Sequence, residues 1–246
     1  MTLRPATTAD DEVVAHIAAL GDAHTPPHYL AYVRTAGRLL VAEDHGRVVG
    51  FGGVVPVPDA EGSTAMVTDL FVHPEARGRG VGTQLLGELL AGNPRRMTCS
   101  SSHPAALPAY VRAGMEPRGT VHYWRGPAFG GAAPAMPEPW AHDRVDLVGS
   151  WAEHGAIVRA DSVVERRGAT VAVVQRVVSE TPEREVEQLL RGLPADVEVT
   201  LCVPDWQPLG RWLSEHGFTS FDHDLWCATP DVMPDPMLAV VNPGLW

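Results

Sequence analysis

Residues 66–86 read Met66-Val-Thr-Asp-Leu-Phe-Val-His-Pro-Glu-Ala-Arg-Gly-Arg-Gly-Val-Gly-Thr-Gln-Leu-Leu86. Met66 to His73 has the make-up of a strand, and a turn of alternating arginine and glycine follows it. Val81, Leu85, Leu86, Leu89 and Leu90 then fall on one side of a helix. Glycines at 78, 80 and 82 let the backbone bend tightly and let a ligand come close. The amides of the turn and of the first helical residues have no intrahelical partner and point outward. Aligned with the helix dipole, such a nest takes a pyrophosphate. A Walker loop would need GxxxxGK[ST], and the chain has no lysine. A Rossmann fingerprint would need a strand that opens a βαβ unit, and the strands upstream here are hairpin-like. The plain alternative is an ordinary glycine-rich strand–helix connection.

The neighbouring elements follow from periodicity. Leu3 to Ala6 is a short strand, and Asp10 caps a helix with Val13, Val14, Ile17 and Leu20 on one face. A second helix is expected from Pro27 to Ala36, then two strands around an Asp44-His45-Gly46 turn. Past the central segment come a strand from Met97 to Ser101, a helix from Ala105 to Ala113 closed by Gly114, and a strand from Thr120 to Arg125. Residues 126–141, rich in Gly, Ala and Pro, read as a linker between domains at 1–125 and 142–246. A similar order then returns. Hairpin strands turn at Arg167-Gly168, and Thr181-Pro182 starts a helix with Val186, Leu189, Leu190 and Leu193 on one face. Val197, Val199, Leu201 and Val203 alternate as a strand, Trp206 to His216 is a helix closed by Gly217, and Phe221 and Leu225 lie on a last strand. The fold class is α/β with a mixed sheet, built twice by a diverged internal duplication.

Composition narrows the function. The 246 residues are 45% hydrophobic and 20% charged, a profile that needs no disulfide or metal staple to fold. The formal net charge of −11 counts against nucleic acid and acidic membranes and favours cationic ligands. The absence of lysine excludes Schiff-base chemistry. Cys99, Cys202 and Cys227 form no CxxC pair, and the opening residues lack a secretory pattern, so a cytoplasmic protein with reduced thiols is expected. Asp222, His223 and Asp224 alternate to opposite strand faces, so no metal is expected there. Ser100, Ser101, Ser102 and His103 lack a nucleophile elbow and fit the cap of the next helix or a cofactor contact.

On these residues the chain resembles the GNAT acetyltransferase superfamily. Arg77-Gly78-Arg79-Gly80-Val81-Gly82 is similar to the family's acetyl-coenzyme-A signature, and Asp69 to Pro74 resembles its fourth strand. Leu3 to Asp10 looks like its opening, and Ala106 to Met115 like its fourth helix, with His103 and Met115 standing where Asn and Phe are common. The resemblance covers residues 1–125 by motif and the remainder by layout alone. It implies tandem GNAT-like domains, the second degenerate. It also implies acetyl-CoA as cosubstrate, held by Arg77, Gly78, Arg79, Gly80, Val81, Gly82 and Thr83, with His103 nearby. The strand carrying Leu70, Phe71 and Val72 would splay from its neighbour and take the pantetheine arm, the Val72 N–H facing the thioester carbonyl as an oxyanion donor.

The implied reaction is direct attack of an amine on the thioester. An alkylammonium is deprotonated only about once in 2,500 at pH 7, a deficit of about 4.6 kcal/mol, so a base is needed. Asp69 is the candidate base or amine anchor, with a structural acceptor beside a strand bulge as the plain reading; Glu116 and His122 are other candidates. Tyr110 matches the family's acid that protonates the departing thiolate, against a plain core aromatic. His24, His28 and Tyr29 lie where this family closes over the acceptor. In the second half, Ser179-Glu180-Thr181-Pro182 replaces the arginine–glycine turn and Leu213 replaces the tyrosine, so neither cradle nor acid remains. Trp151, Trp206, Trp212 and Trp226 would line an acceptor pocket or fill a core. The expected acceptor is a small-molecule amine, with no nucleic-acid or membrane partner and a homodimer left open. A silent acyl-CoA sensor and a GNAT enzyme with another acyl donor or a hydroxyl or thiol acceptor remain as alternatives.

Overall fold

The computed structural model describes residues 1–59, 61–131 and 137–246. By packing, the chain forms two units: Met1–Pro117 with Cys227–Val232 and Leu245, and Arg118–Trp226 with Met233–Gly244 and Trp246.

The first unit holds β1 (Thr2–Pro5), α1 (Asp11–Ala19), α2 (Pro27–Ala36), β2 (Arg38–Asp44), β3 (Arg47–Asp59), β4 (Gly62–Val72), α3 (Val81–Leu89), β5 (Arg96–Ser100) and α4 (Ala106–Arg112). Its sheet runs β1-β2-β3-β4-β5, antiparallel except for the parallel pair β4–β5. The β2–β3 turn falls at His45 and Gly46, both at positive φ. Arg4 clasps Asp10 through two hydrogen bonds of 2.8 and 2.9 Å, which ties β1 to the entry of α1. Val14 and Ile17 are buried as the periodicity requires, whereas Leu20 caps the helix and is 43% exposed. Helix α3 covers one face of the sheet, with Leu89 meeting Leu70 above Gly52; on the other face Val33 of α2 lies against Gly53. Thr229 extends the edge beside β5, its N–H donating to Arg96 O at 2.9 Å.

The second unit takes in β6 (Glu116–Pro127) from Arg118 onward, then α5 (Val145–Glu153), β7 (Ile157–Val158), β8 (Ser162–Arg166), β9 (Val171–Val178), α6 (Pro182–Arg191), β10 (Glu198–Pro204), α7 (Leu209–Glu215), β11 (Thr219–Ala228) as far as Trp226, and β12 (Leu238–Val240). The expected strand 120–125 is thus longer at both ends, and Gly126 and Pro127 close it. Ala128 and Phe129 continue with backbone bonds to Val197 O and Leu190 O. Residues 132–136 of the expected linker lie outside the described residues. β6 pairs antiparallel with β10, β10 pairs parallel with β9, and β8 pairs antiparallel with β9. The core of this unit gathers Val174, Val186, Leu189, Leu190, Val199, Leu201, Leu209 and Leu213. Thr181 stands at the N-cap of α6 without a side-chain cap bond, so the start of that helix rests on Pro182 and packing. Trp206, Trp226 and Trp246 cluster within this unit at centroid distances of 5.3–6.0 Å; Trp226 is buried in its core, and Trp206 is half-buried beside it.

Candidate functional site

The site of the first unit is built where β4 parts from β5. The parallel pairing covers Ala65, Met66 and Val67 opposite Arg96, Met97 and Thr98, and goes no further. The cause lies one residue on. Thr68 is an extra residue in β4, because Gly53 pairs with Asp69 while Val54 pairs with Val67. The bulge sharpens the local twist and swings residues 69–72 away from β5.

Backbone direction decides what that opening offers. His73 N–H donates to Val49 O on the β3 side at 2.9 Å. N–H groups alternate along a strand, so Phe71 and Asp69 also face β3, and Leu70 and Val72 face the opening. The Val72 carbonyl faces the same way and accepts from Arg77 Nε at 3.0 Å. Arg77 therefore fastens the arginine–glycine turn to the end of the open strand.

The turn itself makes a cradle. Gly78 and Gly80 have φ of +77° and +80°, and a Cβ at either would meet nothing within 4 Å, so it is the backbone conformation that requires glycine there. Gly80 is the N-cap of α3, and the first helical bond runs from Gln84 N–H to Gly80 O at 3.0 Å. The N–H groups of Val81, Gly82 and Thr83 thus have no partner on the helix. Arg79 and Thr83 are exposed at the rim. Preorganised donors, a helix dipole and open space above them match the chemistry of a diphosphate.

Beneath the opening, on the α2 face, lies Asp69, 8% exposed. Tyr29 Oη donates to its Oδ2 at 2.5 Å and Thr68 Oγ1 donates to the same oxygen at 2.9 Å. Burial pushes the Asp69 carboxyl above the usual carboxylate range, and the two hydroxyl donors pull it part of the way back. The same burial and the adjacent carboxylate drive the Tyr29 phenol well up. Tyr29, expected over the acceptor, is thus first of all the partner of Asp69. Nothing in the sequence joins two residues forty positions apart; α2 brings them together.

Gly53 makes the arrangement fit. A Cβ there would sit 2.3 Å from Thr68 Oγ1 and 2.9 Å from Val33 Cγ1. Gly53→Ala is therefore expected to cost about 1–3 kcal/mol by overpacking, read as a lowered midpoint in a urea titration.

Tyr110 lies on α4, the helix that follows β5, and is 6% exposed. His103 forms the turn that leads into α4, two residues before its N-cap Ala105, its Nδ1 accepting from Ala105 N–H at 3.2 Å and its carbonyl from Ala106 N–H at 2.9 Å. Ser101 takes part in the same turn, through its Oγ and His103 N–H at 3.5 Å. Glu116 is exposed, and His122 packs in the second unit beside His223 at 6.2 Å. Among the described residues no group of His, Cys, Asp and Glu would hold a metal, and no helix is long and apolar enough to cross a membrane.

The fold and the geometry of this site can be set beside known proteins. Residues 8–115 match the acetyltransferase (GNAT) family. Mycothiol acetyltransferase of Nocardia farcinica is 37% identical over 82 residues, 32% of this chain and 26% of that protein. Mycothiol acetyltransferase of Rhodococcus opacus is 35% identical over 101 residues, 40% of this chain and 32% of that protein. The matches thus span about a quarter to a third of those relatives. Over the whole chain, the fold is that of a Pyrococcus horikoshii protein described as an acetyltransferase, with a TM-score of 0.74 at 12% identity, covering 100% of this chain and 95% of that one. A Thermoplasma acidophilum counterpart gives 0.55 at 17% identity, covering 93% and 98%. The fold is thus a tandem of GNAT-like halves.

Proposed function

We propose that the chain is an acetyl-CoA-dependent N-acetyltransferase whose first half carries the reaction and whose acceptor is the primary amine of a small molecule. The observation that carries this reading is the unpaired edge of β4 beyond Val67, which leads straight into the N–H cradle at residues 78–83. Acetyl-CoA, when bound, supplies the acetyl group as a thioester. The cradle amides and the dipole of α3 hold its diphosphate. The Leu70 and Val72 N–H groups hold the arm by strand-like pairing, and Val72 stabilises the thioester oxygen as negative charge grows on it. Asp69, its basicity raised by burial, takes the proton that the amine must lose. Tyr110 returns a proton to the thiolate as it leaves. A net charge of −11 draws a cationic amine toward the protein before that proton is lost.

The test is a screen of amine classes with acetyl-CoA, following free thiol and confirming the product by its mass gain. Thiol release without any acetylated amine, or binding with no turnover at all, would remove the transferase reading and leave a coenzyme-binding module. Tyr110→Phe is expected to lower turnover about 100-fold or more, the usual contribution of a positioned acid, with coenzyme affinity unchanged. Full turnover in that variant would return Tyr110 to a core role.

A further inference from the structure

We infer that the second half binds no acyl-coenzyme A because the chain's own segment Met237–Val241 fills the slot that the first half keeps open. This rests on the coenzyme reading of the first half. The two halves match residue by residue around the opening. In β9 the parallel pairing with β10 ends at Val174 opposite Leu201, as that of β4 with β5 ends at Val67. The next residue is again the extra one of a bulge, since Val163 pairs with Arg176 while Val164 pairs with Val174, leaving Gln175 over. Val67, Thr68 and Asp69 therefore correspond to Val174, Gln175 and Arg176, and Leu70 and Val72 correspond to Val177 and Ser179.

Backbone direction confirms the phase. Val178 N–H donates to Asp161 O at 3.0 Å, as its counterpart Phe71 faces β3, so Val177 and Ser179 face the slot. In the second unit that slot is full. β12 lies antiparallel to β9, with Leu238 opposite Val178 and Val240 opposite Val177. Ser179 N–H, the counterpart of the oxyanion donor Val72, donates to Met237 O at 2.9 Å. From the other wall, Val241 N–H donates to Cys202 O of β10 at 3.0 Å. A peptide carbonyl thus occupies the place assigned to a thioester carbonyl in the first half.

The segment is fixed along its length by side chains of the same unit. Gln207 Nε2 donates to Pro236 O at 2.8 Å and to Leu238 O at 3.2 Å, and Asn242 Nδ2 donates to Gln175 Oε1, the bulge residue, at 2.7 Å. Leu238, Ala239 and Val240 are fully buried. At the diphosphate end nothing remains to compete. The eight residues between β4 and α3, 73–80, shrink to three between β9 and α6, 179–181, and Glu183 and Glu185 occupy the first turn of α6.

Calorimetry of the full chain with coenzyme A, paired with residue-resolved hydrogen exchange, tests this. One coenzyme per chain is expected, bound at least about 100-fold more weakly in Gly82→Glu. The Ser179 and Val241 amides should exchange at least about 100-fold more slowly than those of Leu70 and Val72 in the free protein, with or without coenzyme. Two coenzymes per chain, one still bound at the parent's affinity in Gly82→Glu, or Ser179 exchanging as fast as Val72 would each overturn the inference. No coenzyme bound, with Ser179 and Val241 still protected, would sink the reading of the first half while supporting a filled slot in the second.

Discussion

Gly82→Glu lowers the affinity of the chain for coenzyme A by at least about 100-fold and leaves its thermal midpoint where it was. The two expectations separate because the residue has separate local duties. Gly82 sits in the first turn of α3 with helical backbone, and a Cβ there would make only an ordinary contact, 3.6 Å to Val72 Cγ2. An acidic side chain in a first helical turn is favourable to the helix dipole, so the fold gains or loses little. The ligand meets the opposite effect. A carboxylate about 6 Å from a diphosphate charge, at an effective dielectric near 20, costs about 2.8 kcal/mol, which is a factor of about 100. Titration calorimetry reads the affinity and scanning calorimetry the midpoint. A variant that binds coenzyme A as the parent does would show that the amides of Val81, Gly82 and Thr83 are not the anion site. Gly80→Ala is a poorer probe, since φ of +80° makes any side chain there strain the turn and mixes folding with binding.

How much of this was legible in the sequence follows from the range of each interaction. The cradle was readable because its causes are local: alternating glycines, a strand before and an apolar helical stripe after lie within about twenty residues. The open edge was reached only through the family resemblance. Its physical cause, the extra residue Thr68, leaves no mark on composition, since a bulge exists only relative to the partner strand. The Tyr29–Asp69 pair depends on how α2 settles on β3, and Gly53, read in sequence as one glycine of a hairpin strand, is what lets them meet. In the second half, the missing glycines and the acidic turn announced the lost cradle. β12 did not announce itself: three residues, Leu238–Val240, are too few for a periodic signal, and their pairing is entirely long-range. α5 escaped in the same way, beginning at Arg144 with φ of +58° and no capping side chain.

The repeated frame also sets the half proposed to carry the reaction beside the half proposed to be filled. Both halves bulge at the same point and both part from the next strand there, so the slot is a property of the backbone. What differs is what stands around it. Asp69 with its Tyr29 donor is replaced by Arg176, itself 3.7 Å from Asp143, and Val72 with its unclaimed N–H by a Ser179 bonded to Met237. An open strand edge in a folded protein leaves donors without partners, which is costly unless water or a ligand meets them. The first half keeps that cost and the second removes it. A site kept for function at the expense of stability, as proposed for the first half, would have this pattern.

Asp69→Asn, for the same reason, is expected to lower turnover by about 100- to 10,000-fold while leaving the thermal midpoint unchanged or higher. Burial raises the carboxyl above its unfolded value. A carboxyl with a raised folded value favours the folded state only where it is protonated; as pH rises through that value, the charged form subtracts from stability. Asparagine has the same shape, still accepts from Tyr29 and Thr68, and carries no charge to bury. A structural Asp69 would behave the other way, with activity kept and stability lost. Tyr29→Phe then tests the positioning. The Tyr29 hydroxyl favours the charged carboxylate, so its removal raises the Asp69 value further. Because the rate follows the deprotonated form, the acid limb of the kcat/KM profile should move to higher pH, with coenzyme affinity unchanged. A limb that stays in place, or moves down, would mean that Tyr29 holds α2 against the sheet and leaves the proton alone.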